Sequence, residues 1–262
     1  MRTLMISKEY NLSMHSSSIR LSIITATFNT AECLPRLIDS LKSQTDPDFE
    51  WIVADGGSTN ETLALVRDAA KTLNVKVDSR PDFGIYDALN RAVKMADGDY
   101  YIVMGADDEF FPDAVAQYKA ACISAGADFV TARVEVDGRI CGIRKKRWEW
   151  LYGPFAHVGC HAVGLAIRRS LHKRFGYYSR SFPIAADQLF ILEAIHGGAT
   201  VSEQAFVAGK FCRDGSSGQD ILGTLVEGFR VQVRVGHGLL LQLLLFVARV
   251  FKNWPRIKAW RA

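Results

Sequence analysis

A short apolar run that ends in two adjacent carboxylates constrains this chain more than any other feature. Residues 100–104 (Tyr-Tyr-Ile-Val-Met) are followed by Asp107 and Asp108, and then by Pro112. The apolar run predicts a buried strand, and the proline can start a helix. Carboxylates at the carboxyl end of a buried strand lie where open α/β sheets bind ligands, and oxygen ligands are those that Mg²⁺ or Mn²⁺ prefers. The alternative is an ordinary solvated turn in which Asp107 is a helix N-cap.

Strand and helix patterns alternate through the first half of the chain. Each predicted strand is a β-branched or aromatic run, and each predicted helix has apolar residues at helical spacing. This alternation predicts βαβ units, hence an α/β fold with a mostly parallel central sheet flanked by helices. Strands are predicted at 21–26, 50–54, 75–77, 99–104 and 163–167, helices at 34–41, 63–73, 85–96 and 189–195, and a hairpin at 128–143 around Asp137-Gly138. Asn29 or Thr30 is the predicted N-cap of the first helix.

Polar segments follow the predicted strands. Because parallel strands open on one edge of a sheet, Asp55 is expected to face Asp107 and Asp108 across one crevice. Gly56 and Gly57, which follow Asp55, let the backbone approach a planar or phosphorylated ligand closely. A dehydrogenase would need a GxGxxG motif after the first strand, which residues 26–30 do not provide.

Charge divides the chain into two parts. The net charge is +4, but residues 221–262 hold seven Lys/Arg against Glu227 alone, so that residues 1–220 sum to −2. A mildly acidic body with a basic, apolar tail disfavours nucleic-acid binding. Five scattered cysteines without CxxC pairing are typical of a reduced, cytoplasmic protein, and residues 1–19 show no secretion signal.

The tail is predicted to form an interfacial helix. Five polar residues recur at nearly whole helical turns and are predicted to share one basic face, while Leu, Phe and Trp fill the rest: Arg234, Gln242, Arg249, Asn253 and Arg256. The apolar stretch is too short to span a bilayer, which takes roughly 20 residues. We therefore predict that residues 234–262 lie on an anionic membrane surface, at its inner face. The alternative is a helix packed on the body or at a dimer interface.

Taken together, five segments in order resemble a known family. They are residues 22–29, 51–60, 82–90, 98–108 and the stretch from His161 to Asp187-Gln188-Leu189. On these motifs the chain resembles a family 2 glycosyltransferase with the A-type nucleotide-sugar-binding fold. The resemblance covers roughly residues 20–215 and implies a catalytic domain at 20–220, an N-terminal extension at 1–19 and a helical tail at 221–262.

The resemblance implies roles for individual residues. Asp55 matches the aspartate that hydrogen-bonds uracil, with Thr27 and Phe28 framing the base. Asp107 and Asp108 match the metal motif, one of them holding Mn²⁺ or Mg²⁺ on the diphosphate. Asp187 matches the general base. Two departures stand out, because the motif's usual leading aspartate is Gly105 here and the common His-Gln is His161-Ala162.

Most of the remaining candidate residues have more than one interpretation. Asp87 could contact the donor or cap its helix, and Arg80 could reach a phosphate or be a solvated loop charge. His161 could line the acceptor pocket or be a satisfied core histidine. The basic segment 144–147 beside Trp148 and Trp150 could contact a pyrophosphate, an acceptor or a membrane, or be a solvated loop. Residues 213–218 resemble the family's flexible loop over the diphosphate.

The predicted function is sugar transfer from a UDP-sugar to an acceptor hydroxyl with inversion, as the resemblance implies. A metal ion offsets the charge on the leaving diphosphate, and one carboxylate takes the proton of the attacking hydroxyl. The expected acceptor is a glycan or lipid-linked glycan of a surface polysaccharide. The alternative is a non-catalytic nucleotide-sugar-binding or scaffolding subunit.

Overall fold

A computed structural model describes residues 19–144, 146–212 and 220–260. Apart from Ile19, the expected N-terminal extension lies outside these residues, as does the loop predicted to close over the diphosphate. The strands are β1 (Leu21–Thr27), β2 (Glu50–Asp55), β3 (Val75–Ser79), β4 (Tyr100–Val103), β5 (Glu109–Phe110), β6 (Phe129–Val136), β7 (Arg139–Cys141), β8 (Leu165–Arg168) and β9 (Val201–Lys210). The helices are α1 (Leu34–Lys42), α2 (Thr62–Ala69), α3 (Ile85–Met95), α4 (Ala114–Ala125), α5 (Glu149–Tyr152), α6 (Leu171–Phe175), α7 (Ala186–His196), α8 (Ile221–Arg234) and α9 (Leu239–Trp260).

Four parallel strands form the half of the sheet that carries the acidic residues. Their order is β3-β2-β1-β4. The register pairs Thr27 with Asp55 and Asp55 with Ser79, while Ile24 pairs with Val103. β1, β2 and β4 are nearly continuous apolar runs because both of their faces are buried, whereas β3, at the edge of the sheet, is partly exposed. Their carboxyl ends therefore open on one edge, as the sequence predicts.

The other half of the sheet contains both parallel and antiparallel neighbours. β8 runs antiparallel to both β4 and β6, β9 runs parallel to β6, and β5 runs antiparallel to β9. The predicted hairpin is present as β6 and β7, with positive φ at Asp137 and Gly138. Antiparallel neighbours need no helical crossover, and this is why the strand–helix alternation is lost after residue 112.

One helix-start prediction and one alternative reading are wrong. α1 begins at Leu34 after Cys33, because Thr30 uses its backbone carbonyl to accept from Leu34 and so forms a turn ahead of the helix. Asp107 caps no helix, since the short strand β5 follows it and α4 begins only after Asp113.

The C-terminal residues form two helices in place of one. Gly236 adopts a positive φ of 98° and ends α8, so Arg234 does not share a helix with Gln242. Gln242 is 1% exposed, and its Nε2 donates to the carbonyl of Trp150 at 2.8 Å. Arg249 donates to the carbonyl of Leu151 at 2.5 Å. Two residues of the predicted polar face, Gln242 and Arg249, therefore pack on the body and satisfy carbonyls of the four-residue helix α5, while Arg256 stays exposed.

None of the helices in the described part of the chain has the length and apolarity needed to cross a bilayer.

Candidate active site

Asp55 holds together the loop that follows β2. Its carboxylate is fully buried and accepts five hydrogen bonds. The donors are Thr27 Oγ1 (3.0 Å), Gly57 N (3.0 Å), Ser58 N (2.8 Å), Ser58 Oγ (2.5 Å) and Ser79 Oγ (2.7 Å). Burial on its own would raise the pKa of Asp55, but these hydrogen bonds, those of Ser58 foremost, hold it below its usual value. With both oxygens occupied, Asp55 lies behind the loop, and its direct contact with uracil stays a prediction.

The exposed surface of this loop is framed by Phe28. Its ring is 63% exposed, and a Cβ on Gly56 would lie 3.3 Å from it. Asn29, with φ of 52°, accepts at Oδ1 from the Thr59 amide and donates its own amide to Ser58 Oγ. The loops after β1 and β2 are thus joined beside an exposed aromatic ring, which is suited to stacking on a planar base. Thr27 is buried and serves Asp55.

Arg91, which the sequence analysis did not single out, organises the loop after β3. Its guanidinium is 8% exposed and donates to the carbonyl of Asp55 at 3.1 Å and to the carboxylate of Asp78 at 2.8 Å. It also lies 3.3 Å from Asp82. Arg80, by contrast, is 62% exposed, with its Nε 3.3 Å from Asp78, and could turn toward a phosphate.

The two carboxylates of the acidic pair have different environments. Asp108 is 1% exposed, and its oxygens accept from the amides of Gly105 (2.7 Å) and Cys212 (2.9 Å). Burial raises the pKa of Asp108 to about 7. Asp107 is only half-buried. Asp108 therefore shapes the loop, while Asp107 is open to a ligand.

The acidic pair fits a divalent cation that is also coordinated by a phosphate. A Cβ on Gly105 would lie 2.8 Å from Asp107 Oδ1 and 2.9 Å from Asp108 Oδ2, so both oxygens converge on the space that this glycine leaves open. The departure from the usual leading aspartate is thereby explained, because a side chain at position 105 would fill that space. Across the described residues, no group of three or more His, Cys, Asp or Glu could hold a metal. The remaining ligands would come from diphosphate and water, which is usual for Mg²⁺.

The candidate base, Asp187, lies at the start of α7 beside His161. Ala162 bridges to Val103 at the end of β4, which brings His161 to the same edge of the sheet as the acidic pair. His161 Nδ1 is 3.5 Å from Asp187 Oδ2. The hydroxyl of Tyr86 is 2.6 Å from Asp187 Oδ1 and 2.8 Å from the carbonyl of Ile184. Tyr86 was not found from the sequence because its position on α3 reads as one more residue of an apolar face.

A hydrogen-bonded chain behind Asp187 has a fixed direction. The carbonyl of Gly176 can only accept, so His172 donates through Nδ1, and because burial lowers the pKa of His172 to about 4 its Nε2 accepts from Tyr101. Tyr101 then accepts from the hydroxyl of Tyr178 at 2.7 Å. Tyr178 in turn accepts from His161 Nε2 at 2.9 Å.

This direction leaves Nδ1 of His161 facing Asp187. Burial lowers the pKa of His161, against the opposing effect of the Asp187 charge, so the neutral ring carries its hydrogen on Nε2. Nδ1 is then a vacant proton acceptor next to the candidate base. His161 is therefore buried, bonded through Nε2 and in contact with Asp187 through Nδ1, and its place in an acceptor pocket stays a prediction.

Asp87 forms an ion pair and is not the cap of its helix. It does not cap α3, which begins after Gly84 at φ 103°. Its carboxylate pairs with Arg180 Nη2 at 2.5 Å, and the Arg180 guanidinium lies over the exposed ring of Phe83.

Comparison with known protein families shows which family this chain belongs to. Residues 22–195 match the family model described as Glycosyl transferase family 2. The chain belongs to this family. A PGL/p-HBAD biosynthesis glycosyltransferase of Mycobacterium tuberculosis is 28% identical over 248 residues, which cover 90% of this chain and 91% of the relative.

Solved structures share the fold of this family 2 glycosyltransferase. S. aureus TarS 1–349 in complex with UDP-GlcNAc superimposes with a TM-score of 0.67 at 20% identity, over 89% of this chain and 73% of TarS. The mannosyltransferase PcManGT from Pyrobaculum calidifontis, in complex with GDP-Man and Mn²⁺, gives 0.63 at 17% identity, over 92% and 76%. The predicted A-type glycosyltransferase fold is therefore confirmed, and metal ions are commonly used by enzymes of this fold.

We expect Asp108→Asn to destabilise the protein by about 1–3 kcal/mol at pH 4, where the raised pKa keeps Asp108 protonated and no buried charge is removed, because the amide NH₂ cannot accept from a backbone N–H group. The matched change Asp107→Asn should stay within about 0.5 kcal/mol of wild type, since Asp107 is half-buried. Denaturant unfolding of both variants measures the difference. Equal stabilities would contradict the assignment of Asp108 as the loop-shaping carboxylate.

We expect His172 to make folding sensitive to mild acid. Its pKa is about 4 in the folded protein and about 6.5 when unfolded, so its contribution to stability is present above pH 6.5 and is lost as the pH falls toward 4. The loss is at most about 3 kcal/mol. Unfolding free energies of wild type and His172→Gln over this range test it. If the variant loses stability as steeply as wild type, His172 is not responsible.

Proposed function

We propose that the protein is an inverting, metal-dependent glycosyltransferase that moves a sugar from a UDP-sugar to an acceptor hydroxyl. The observation that carries this proposal is the position of the acidic pair and of Asp187 at one edge of the sheet, joined through the Val103–Ala162 bridge and His161. The acidic pair would hold the donor diphosphate, and Asp187 would deprotonate the acceptor.

In the proposed reaction, Asp187 accepts the proton of the acceptor hydroxyl as its oxygen attacks the anomeric carbon. The hydroxyl of Tyr86 holds the carboxylate in place, and Nδ1 of His161 offers the proton a second position. A divalent ion, Mn²⁺ or Mg²⁺, held by Asp107 with Asp108 behind it, would offset charge on the leaving diphosphate. A single displacement inverts the anomeric carbon, and no second nucleophilic carboxylate is needed.

For the donor, we propose UDP bound to the crevice between the loops after β1 and β2. Phe28 offers the exposed ring for the base, while Thr27 and Asp55 hold the loop. Arg80 would reach the phosphates, and Asp87 with Arg180 would border the sugar. TarS with UDP-GlcNAc supports a uridine donor carrying a hexosyl or N-acetylhexosaminyl group, whereas PcManGT with GDP-Man keeps another nucleotide open.

For the acceptor, we propose a glycan or lipid-linked glycan, bound on the side of His161. A relative named for PGL/p-HBAD biosynthesis supports this class of product. We further propose that residues 20–220 form the catalytic domain and that the protein works in the cytoplasm at the inner face of a membrane, with residues 234–262 toward that surface.

Asp187→Asn is expected to lower transfer by at least about 100-fold, because the general base is lost, while UDP affinity with Mn²⁺ stays within about twofold. Product formation from a panel of UDP-sugars and UDP calorimetry are the two measurements. Glu193→Gln on the same helix is the matched control and should keep both. Wild type that binds UDP but transfers no sugar would favour the nucleotide-sugar-binding subunit instead.

Tyr86→Phe should lower kcat about tenfold with the donor KM unchanged, since only the hydroxyl that contacts Asp187 is removed. Tyr177→Phe, at an exposed ring, is the control and should leave both kcat and the donor KM unchanged. A kcat that Tyr86→Phe leaves unchanged would mean that Tyr86 is merely structural.

A further inference from the structure

The last helix, α9, turns its apolar side away from the protein. Gln242 and Arg249 point inward to the carbonyls of Trp150 and Leu151, and Asn253 donates to the carbonyl of Arg249 at 2.8 Å. Ile257, on the same inward side, is 5% exposed. Since these polar residues face the body, the leucines lie on the opposite side of the helix.

The outward side of α9 is a continuous apolar stripe, which we call the outer face. It consists of Leu240, Leu244, Val247, Phe251 and Trp254, spaced alternately by four and three residues. Leu240 and Phe251 are 71% and 73% exposed, and Leu244 is 62% exposed. The stripe is about 21 Å long at 1.5 Å per residue. Single exposed apolar residues are ordinary, but a contiguous patch of this kind marks an interaction surface.

Cations flank the carboxyl-terminal end of the outer face. Lys252 and Lys258 are both exposed, and the Lys258 ammonium lies 5.8 Å from the centre of the Trp254 ring. The sequence contains no Asp or Glu from residue 228 to residue 262. A partner for this surface must therefore be apolar over most of its area and negative at one end.

A second copy of the chain does not meet that requirement. If two α9 helices paired antiparallel, the cationic end of each would lie beside the partner's N-terminus, which carries the positive end of the helix dipole. If they paired parallel, cation would face cation. An anionic bilayer surface supplies both apolar depth and negative headgroups.

We propose that the outer face docks on an anionic bilayer, with α9 lying in the plane of the surface. The five apolar side chains enter the boundary between headgroups and acyl chains, and the two flanking cations contact lipid phosphates. The sequence predicted an interfacial helix over this segment, and the structure adds which residues form its apolar side. The inference deepens the proposed membrane location and does not depend on the proposed chemistry.

The docked helix is tied to the candidate active site. Glu227 on the adjoining helix α8 is buried, and its Oε2 accepts from the amides of Ile184 (2.9 Å) and Ala185 (2.8 Å). Ala185 is two residues from Asp187, and Phe229 of α8 packs on Phe246 of α9 with ring centres 5.6 Å apart. A bilayer on the outer face would therefore be held at a fixed distance from the residue that is proposed to activate the acceptor.

Vesicle flotation of the full chain tests the proposal. Wild type should float with phosphatidylcholine vesicles that contain phosphatidylglycerol, and much less with phosphatidylcholine alone. The double variant Leu244→Ser/Phe251→Ser should reduce binding more than tenfold, whereas Leu244→Met/Phe251→Leu should keep it. Lys252→Gln/Lys258→Gln should lower binding roughly fivefold for each cation removed.

Calorimetric UDP binding on the same samples shows that the variants are folded and reads the donor site separately from docking. Wild type that stays with the aqueous fraction would overturn the docking proposal even if UDP binds. So would flotation that is indifferent to the serine variant, or a wild-type dimer in sedimentation that the serine variant converts to monomer. Flotation without UDP binding would leave docking in place and contradict the donor site alone.

Discussion

The buried carboxylate of Asp55 is the interaction on which the rest of the site depends. It accepts hydrogen bonds from the last residues of β1 and β3 and from the loop after β2, so it holds three strand ends at one level. Arg91 supports the same edge of the sheet by donating a hydrogen bond to the backbone carbonyl of Asp55. The cost of burying a charge is offset because each oxygen has at least two donors. The exposed rim, with Phe28 and the two glycines, is built on this base.

The site contains two kinds of group, buried residues that support the loops and outer residues that are open to ligands. Asp55 and Asp108 are both fully buried and both spend their oxygens on backbone amides and hydroxyls. Phe28, Arg80 and Asp107 lie further out, each next to one of these anchors. The same division holds around Asp187, where a chain of buried hydroxyls and imidazoles ends at His161. A rigid second layer of this kind keeps the ligand-facing groups in position before a donor binds.

Sequence alone predicts the parts of this structure that depend on local pattern. The parallel strands follow from uninterrupted apolar runs, and the hairpin follows from Asp137-Gly138. The environment of each carboxylate could not be read, because the donors to Asp108 include the amide of Cys212, about a hundred residues away. The contact of α9 with the body could not be read for a similar reason, since the partner of Gln242 is the carbonyl of Trp150, far away in the sequence. Tyr86 and Arg91 escaped notice because their partners belong to other elements.

The central claim is that the carboxyl ends of β1, β2 and β4 form the donor site. A crystal structure of the protein with UDP and Mn²⁺ tests it most directly. The account predicts a base beside Phe28 and the loop at residues 55–59, and a diphosphate–metal pair in the space over Gly105 within reach of Asp107. A nucleotide bound elsewhere, or a metal that ignores both carboxylates of the acidic pair, would contradict it.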